Sequence, residues 1–358
     1  MDMIILNWWN KIDKTYPKAI YWVAAGVWFI VGSLPLFGYS EPFKDIRNFI
    51  ILALGVFLLI LITCFLIYIF RENKNDIDAT IKKAKKMLAE NRNEDILILR
   101  KRENWSRSLW VEGKPYARLK LGRIAEIAAM NLESNKDLAE ICIDDLGWTN
   151  ASVERYETAR KIITHGLEYA KKIEDNDEKY YWLAKAKRHL AGIEIENKEF
   201  NKADSLTDEA ALFANKIIEQ QRKNEMLAGI YYGQSIRFLK ASSTDKSNIE
   251  TSLKYAEDSE KLRKFGEKTR FVKIYSLKGN IYEAKDDKHN AEKQYRKGLE
   301  QSRDLGRTDE IIKNSLGLAR VLDDEKEKKQ HIKLANKLLD KTPVPYIIDE
   351  KEMRLIKL

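Results

Sequence analysis

Two stretches near the N-terminus, residues 19–39 and 49–70, contain no Asp, Glu, Lys or Arg, and nothing else in the 358-residue chain constrains its folding as strongly. At ~1.5 Å per residue a helix of that length spans about 30 Å, the thickness of bilayer hydrocarbon. A helix buried in a protein core would carry polar residues at helical spacing, and these runs carry almost none. Both therefore read as transmembrane helices. The first is too long for a signal-peptide core and has no small-x-small cleavage site behind it.

Lys and Arg set the orientation. Lys11, Lys14 and Lys18 precede the first run, and Arg71, Lys74, Lys82, Lys83, Lys85 and Lys86 follow the second. The connecting loop, residues 40–48, holds only Lys44 and Arg47, balanced by Glu41 and Asp45. The loop is thus expected outside, with both termini in the cytoplasm. In residues 1–18, Ile5, Trp8, Ile12 and Tyr16 recur at helical spacing, which predicts a short amphipathic helix lying in the headgroup region. Within the first span Ala25 pairs with Gly32 and Gly26 with Ser33 on one face, permitting close helix approach. The second span of the same chain is the simplest partner for that face; a second copy of the chain, in a homo-oligomer, is the other. No ionisable residue sits at membrane depth, which removes the usual marker of a proton relay or ion-coupled transporter.

Net charge is concentrated beside the membrane. Residues 71–120 hold 14 Lys+Arg and 8 Asp+Glu, out of a formal net charge of +9 for the whole chain. Such a segment, a basic juxtamembrane linker over 71–114, is attracted to anionic lipid headgroups. That location favours lipid over nucleic acid as the basic segment's partner, and no nucleic-acid-binding signature accompanies it.

From residue 71 onward the hydrophobic pattern is helical, so the chain is expected to be all-α. Its remainder is repetitive. Gly279, Tyr282, Ala291, Tyr295 and Gly298 stand at offsets 0, 3, 12, 16 and 19. Gly147, Tyr156, Ala159, Ile163 and Gly166 repeat the pattern at offsets 0, 9, 12, 16 and 19, and Ala191, Phe200, Ala203 and Ala210 at 0, 9, 12 and 19. Weaker copies begin at Gly229 and Gly317. These residues resemble the tetratricopeptide repeat family over about residues 115–341, with 342–358 as a C-terminal cap or tail. The resemblance implies a tetratricopeptide-like α-solenoid, so with the two spans the expected architecture is a two-helix transmembrane hairpin followed by that solenoid. In such repeats small residues sit where two helices cross closely.

Catalytic signatures are missing. His165, His189, His289 and His331 stand in no paired metal pattern, and no phosphate loop, dinucleotide fingerprint or nucleophile elbow occurs. Glu194, Glu196 and Glu199 read as ordinary solvated helix surface. Cys64 and Cys142 read as buried reduced thiols. No catalytic residue, metal or cofactor is expected, and the protein is not expected to be an enzyme.

Binding is the better expectation. Carried onto this sequence, the groove-lining positions of tetratricopeptide arrays are Lys185, Arg188, Lys223, Gln234, Lys273, Asn280 and Asn314. A groove so lined would be basic, exposed and suited to an acidic protein or peptide. The family's carboxylate clamp is not reproduced, because its positions hold Arg188 with Gly192 and Ser276 with Asn280. The first expectation is a membrane-anchored adaptor or sensor. The other is a membrane-disrupting or pore-forming effector of the bacterial immunity or toxin type, whose repeat domain senses a trigger while its spans oligomerise.

Overall fold

The computed structural model describes residues 77–243, 245–263 and 272–339. Residues 1–80 and 81–358 form two compact units, and of the first only the opening turn of a helix is described. The expected interfacial helix (1–18), both spans (19–39 and 49–70), their loop (40–48), Ala25, Gly26, Gly32, Ser33, Cys64 and the tail 342–358 lie outside the described residues. Among the described residues no helix is long and apolar enough to cross a membrane.

Those residues are all-α, with fourteen helices and no strand. The first four are α1 (Ile77–Ala89), α2 (Asn93–Arg102), α3 (Trp105–Val111) and α4 (Pro115–Asn131). Helix α5 covers residues 135–152 and contains a π-helical stretch, Ile141–Trp148, between α-helical ends. Then come α6 (Tyr156–Lys171), α7 (Asn176–Glu196), α8 (Phe200–Asn215), α9 (Gln220–Ala241) and α10 (Asn248–Arg263). The last four are α11 (Lys273–Ala284), α12 (Lys288–Leu305), α13 (Thr308–Val321) and α14 (Glu325–Leu339).

Why the helices stop where they do is visible in the turns. Seven connections share one device: a residue with positive φ, followed by a residue whose amide donates to the carbonyl five positions back. The positive-φ residues are Asn91, Gly113, Glu133, Glu154, Lys198, Asp286 and Gly306. Glu199 N to Glu194 O at 2.9 Å and Asp287 N to Tyr282 O at 2.9 Å are two such closures. This is the Schellman-type C-terminus, which satisfies carbonyls the helix leaves open. Only two of the seven are glycine, so the other five hold an L residue in a backbone region disfavoured by about 1–2 kcal/mol. Side-chain caps start the following helices at Asp175, which accepts from Glu178 N at 2.9 Å, and at Asp287, which accepts from Asn290 N at 3.0 Å.

Tight turns make successive helices antiparallel, and their apolar faces bury in a chain of small cores rather than one. Ile143, Ile163, Leu167, Trp182 and Leu183 close a core between α5, α6 and α7. Ala184, Ala210, Ala214, Met226 and Ile230 close the next, between α7, α8 and α9. Ile249, Ala256, Ile274 and Ile281 serve α10 and α11, and Ala291, Tyr295, Leu299 and Leu318 serve α12 and α13. The first helix of each pair also packs on the first of the next: α7 on α9, α9 on α11, α11 on α13.

The small residues at 147, 191, 229, 279 and 317 all fall in the first helix of a pair. A β-carbon at Gly279 or Gly317 would strike the ring of Tyr295, and one at Gly147 would strike Ile163. Gly229 differs. What fills the space above it is the guanidinium of Arg188, not a crossing helix.

Candidate functional site

One turn of α9, residues 228–232, gathers cations from three other helices. Arg188 reaches it from α7 and lies against Gly229, whose missing side chain makes the room. Arg263, the last residue of α10, places Nη2 3.4 Å from the Ala228 carbonyl and Cζ 5.5 Å from the centre of the Tyr232 ring. Ser259, one helical turn earlier, donates to the same carbonyl at 2.7 Å. Lys273, the first residue of α11, sets Nζ 4.1 Å from the centre of that ring. Tyr232 thus serves two cations through its electron-rich face.

Asp309 and Glu310 nearby have partners of their own. Arg307 forks onto Asp309 at 2.8 and 2.6 Å. Glu310 accepts from the Ser276 hydroxyl at 2.7 Å and faces Lys313 Nζ at 3.5 Å. Burial, reinforced by Arg263, Arg188 and Arg307, holds the Lys273 ammonium well below the usual lysine range, with Glu310 opposing. Burial likewise pushes the Tyr232 phenol up to about 12, so it stays protonated at neutral pH.

Only part of the expected groove comes together. Arg188 and Lys273 do, but both are half-buried and not fully exposed. Lys185 does not join them. It is 6% exposed, pairs with Asp144 at 2.7 Å and covers the Trp182 ring at 4.7 Å, so it is tied into the protein interior. Lys223 donates to the Asn215 carbonyl at 3.2 Å, a cation closing the C-terminal end of α8. Asn314 is 0% exposed, donates to Glu310 O at 2.7 Å and occupies the space above Gly298, which removes it from any open groove. Asn280 is exposed, but its Oδ1 already accepts from Tyr295 Oη at 2.5 Å and Arg320 Nη2 at 3.0 Å. Gln234 is half-buried, and no described group donates to its shielded Oε1.

A second charged cluster lies at the π-helical stretch of α5. Asp145 accepts from Arg100 Nε at 2.7 Å and Arg118 Nη2 at 3.3 Å, with all three side chains almost fully buried. Arg100 also reaches Glu140 at 2.8 Å. Next door, Asp144 pairs with Lys185 and faces His189 Nε2 at 3.5 Å. The His189 ring stacks on Trp148 with centroids 4.6 Å apart. Burial drives the His189 pKa down to about 3, so the imidazole is neutral. Cations and carboxylates in this cluster are mutually paired, as buried charges must be. It joins α2, α4, α5 and α7.

Glu194 corrects another expectation. Far from being solvated surface, it is 2% exposed and held by Arg160 Nε at 2.9 Å and Lys202 Nζ at 3.0 Å. Cys142 is buried, and burial pushes its thiol up to about 12. Among the described residues no group of His, Cys, Asp and Glu is arranged to hold a metal ion.

Sequence reasoning missed Arg263 and the ring of Tyr232 as parts of the basic site. No local signal marks them, because the site exists only where α7, α9, α10 and α11 pack. No family model matches the chain, and comparison with curated proteins finds no match either.

Proposed function

We propose that this protein is a non-enzymatic, membrane-anchored adaptor or sensor. Two hydrophobic helices, residues 19–39 and 49–70, fasten a tetratricopeptide-like array to the cytoplasmic face. The array binds an acidic partner through the basic cluster on the 228–232 turn. The observation that carries this reading is the convergence of Arg188, Arg263 and Lys273 on that one turn. An acidic ligand adds negative charge beside Lys273, where Arg263, Arg188 and Arg307 outweigh Glu310. The uncharged N-terminal runs and the basic segment 71–120 support the anchor.

The test is a pull-down from native lysate with the full chain in detergent, wild type beside Lys273→Glu. The substituted carboxylate sits among arginines and fills the place of the partner's acid. Partner bands should disappear with Lys273→Glu, and wild-type capture should weaken as salt rises, since the Debye length falls from about 10 Å at 0.1 M to about 3 Å at 1 M. Identical bands and equal salt resistance for both proteins would remove the acidic-partner reading. Membrane depolarisation on expression would instead place the function in the spans, as a pore-forming effector.

A further inference from the structure

We propose that the exposed face of α4 lies on an anionic membrane surface, with its apolar side chains among the lipid headgroups. This deepens the membrane-anchor reading and rests on it. The exposed residues of α4 are Tyr116, Lys120, Arg123, Ile127, Met130 and Asn131. At about 100° per residue they fall on one stripe roughly 100° wide, and none is acidic. Tyr116 and Ile127 are each 46% exposed and Met130 is 55% exposed. The opposite face packs inward through Leu121, Ile124, Ala125 and Ala128. A solvated helix face ordinarily pairs acids with bases. Here two cations stand between an aromatic and two aliphatic side chains. Arg123 is tied to Glu126 beside the stripe at 2.6 Å. Arg155, exposed at the start of α6, adds a cation 5.9 Å from the centre of the Tyr116 ring.

Three observations favour lipid as the occupant. Of the seven large hydrophobic side chains exposed among the described residues, five belong to residues 98–132: Ile98, Tyr116, Ile127, Met130 and Leu132. Helix α2, which carries Ile98, packs on α4. That end of the array also follows the uncharged runs. Residues 71–76 alone separate the second run from α1, so a bilayer holding that run lies within about 25 Å of the start of α1. Charge is the third. Lys120, Arg123 and Arg155 are attracted to anionic headgroups, and the long stems of Lys and Arg let apolar neighbours enter while the charge stays at the surface. Lys120 and Arg123 stand at the middle of the stripe, where the same face of a second copy would bring like charges together.

The experiment uses the full chain reconstituted in lipid discs, with Met130→Cys as the reporter and Lys293→Cys, at an exposed position of α12, as the control. A water-soluble polyethylene-glycol maleimide too large to enter lipid reads each cysteine by gel shift, and the unsubstituted chain gives the background. Discs of phosphatidylcholine are compared with discs containing about 30% phosphatidylserine. Met130→Cys should react roughly tenfold more slowly in the anionic discs, and Lys293→Cys equally in both. A surface potential of about −30 mV lowers the thiolate fraction by only about threefold, so the larger change reports insertion. Adding Lys120→Glu to Met130→Cys should restore most of the rate without changing the melting temperature, since Lys120 is exposed.

Fast reaction of Met130→Cys in both kinds of disc overturns the proposal. Slow reaction in both leaves anionic lipid no role and overturns it too; a slow rate that persists in detergent would then assign the face to a covering protein chain. Alkaline extraction of the chain from vesicles reports the anchor separately. A chain that resists extraction while Met130→Cys reacts freely keeps its anchor and loses this face. A chain that alkali releases loses both.

Discussion

Tyr295 offers the sharpest test of the packing that holds the array together. Its side chain is 0% exposed, and its ring is flanked by Gly279 of α11 and Gly317 of α13. A β-carbon on Gly279 would lie 2.6 Å from both Cδ1 and Cζ of that ring, closer than folded proteins tolerate. The ring cannot easily retreat. Gly317 abuts the same atoms, and the hydroxyl is fixed by Asn280 at 2.5 Å, Glu283 at 3.0 Å and Arg320 at 3.0 Å. Overpacking of this kind is destabilising by about 1–3 kcal/mol. Replacing a mid-helix glycine by alanine returns up to about 1 kcal/mol of helix propensity. Gly279→Ala should therefore lose about 1–2 kcal/mol net, a fall of roughly 2–8 °C in melting temperature for a domain of this size. Gly233 is the comparator, since nothing lies within 4 Å of the β-carbon it would gain. Gly233→Ala should raise the melting temperature by a few degrees at most. Thermal unfolding followed by circular dichroism at 222 nm reads both. Equal shifts, or a Gly279→Ala protein as stable as wild type, would show that the Tyr295 contact does not hold α11, α12 and α13 together.

Further outcomes are expected. Lys273→Met should stabilise the ligand-free protein by about 0.5–2 kcal/mol, read as a higher melting temperature, because it removes an ammonium that burial and neighbouring arginines disfavour; a lower one would show that the lysine is a structural tie. Arg100→Met should lose about 3–5 kcal/mol in chemical denaturation, because it strands Asp145 and Glu140 without their shared cation. His189, with a folded pKa of about 3 against an ordinary 6.5, binds its proton only on unfolding between those values, so stability falls as pH drops from 6.5 towards 3. Asp144 faces it together with Lys185, Arg188 and the Trp148 ring, and its own low pKa adds to the acid loss; His189→Phe should flatten, without abolishing, the decline of melting temperature with acid. Reporter fusions should show external activity after Ser40 and none after Leu358; external activity at the C-terminus would end the adaptor reading.

The sequence alone determined the helical class, the spacing of the helices and the positions where side chains must be small. Residues at 3.6-residue periodicity bury one face wherever a helix lands, and Gly147, Gly279 and Gly317 are small because a neighbouring side chain meets the backbone there. Those constraints are local, or repeat at fixed intervals, and a linear pattern carries them. The sequence could not say which lysines point into a shared site. Lys185 and Arg188 are three residues apart on α7, yet one is paired with Asp144 inside the protein and the other lies on Gly229. Asn314 looked like a groove residue, but the bare surface of Gly298 drew it into the interior. Nor did anything before Arg263 announce that the end of α10 would face Tyr232. Charge on a helix is legible in one dimension; which charges meet depends on the angle and offset between packed helices, and only the tertiary structure sets those.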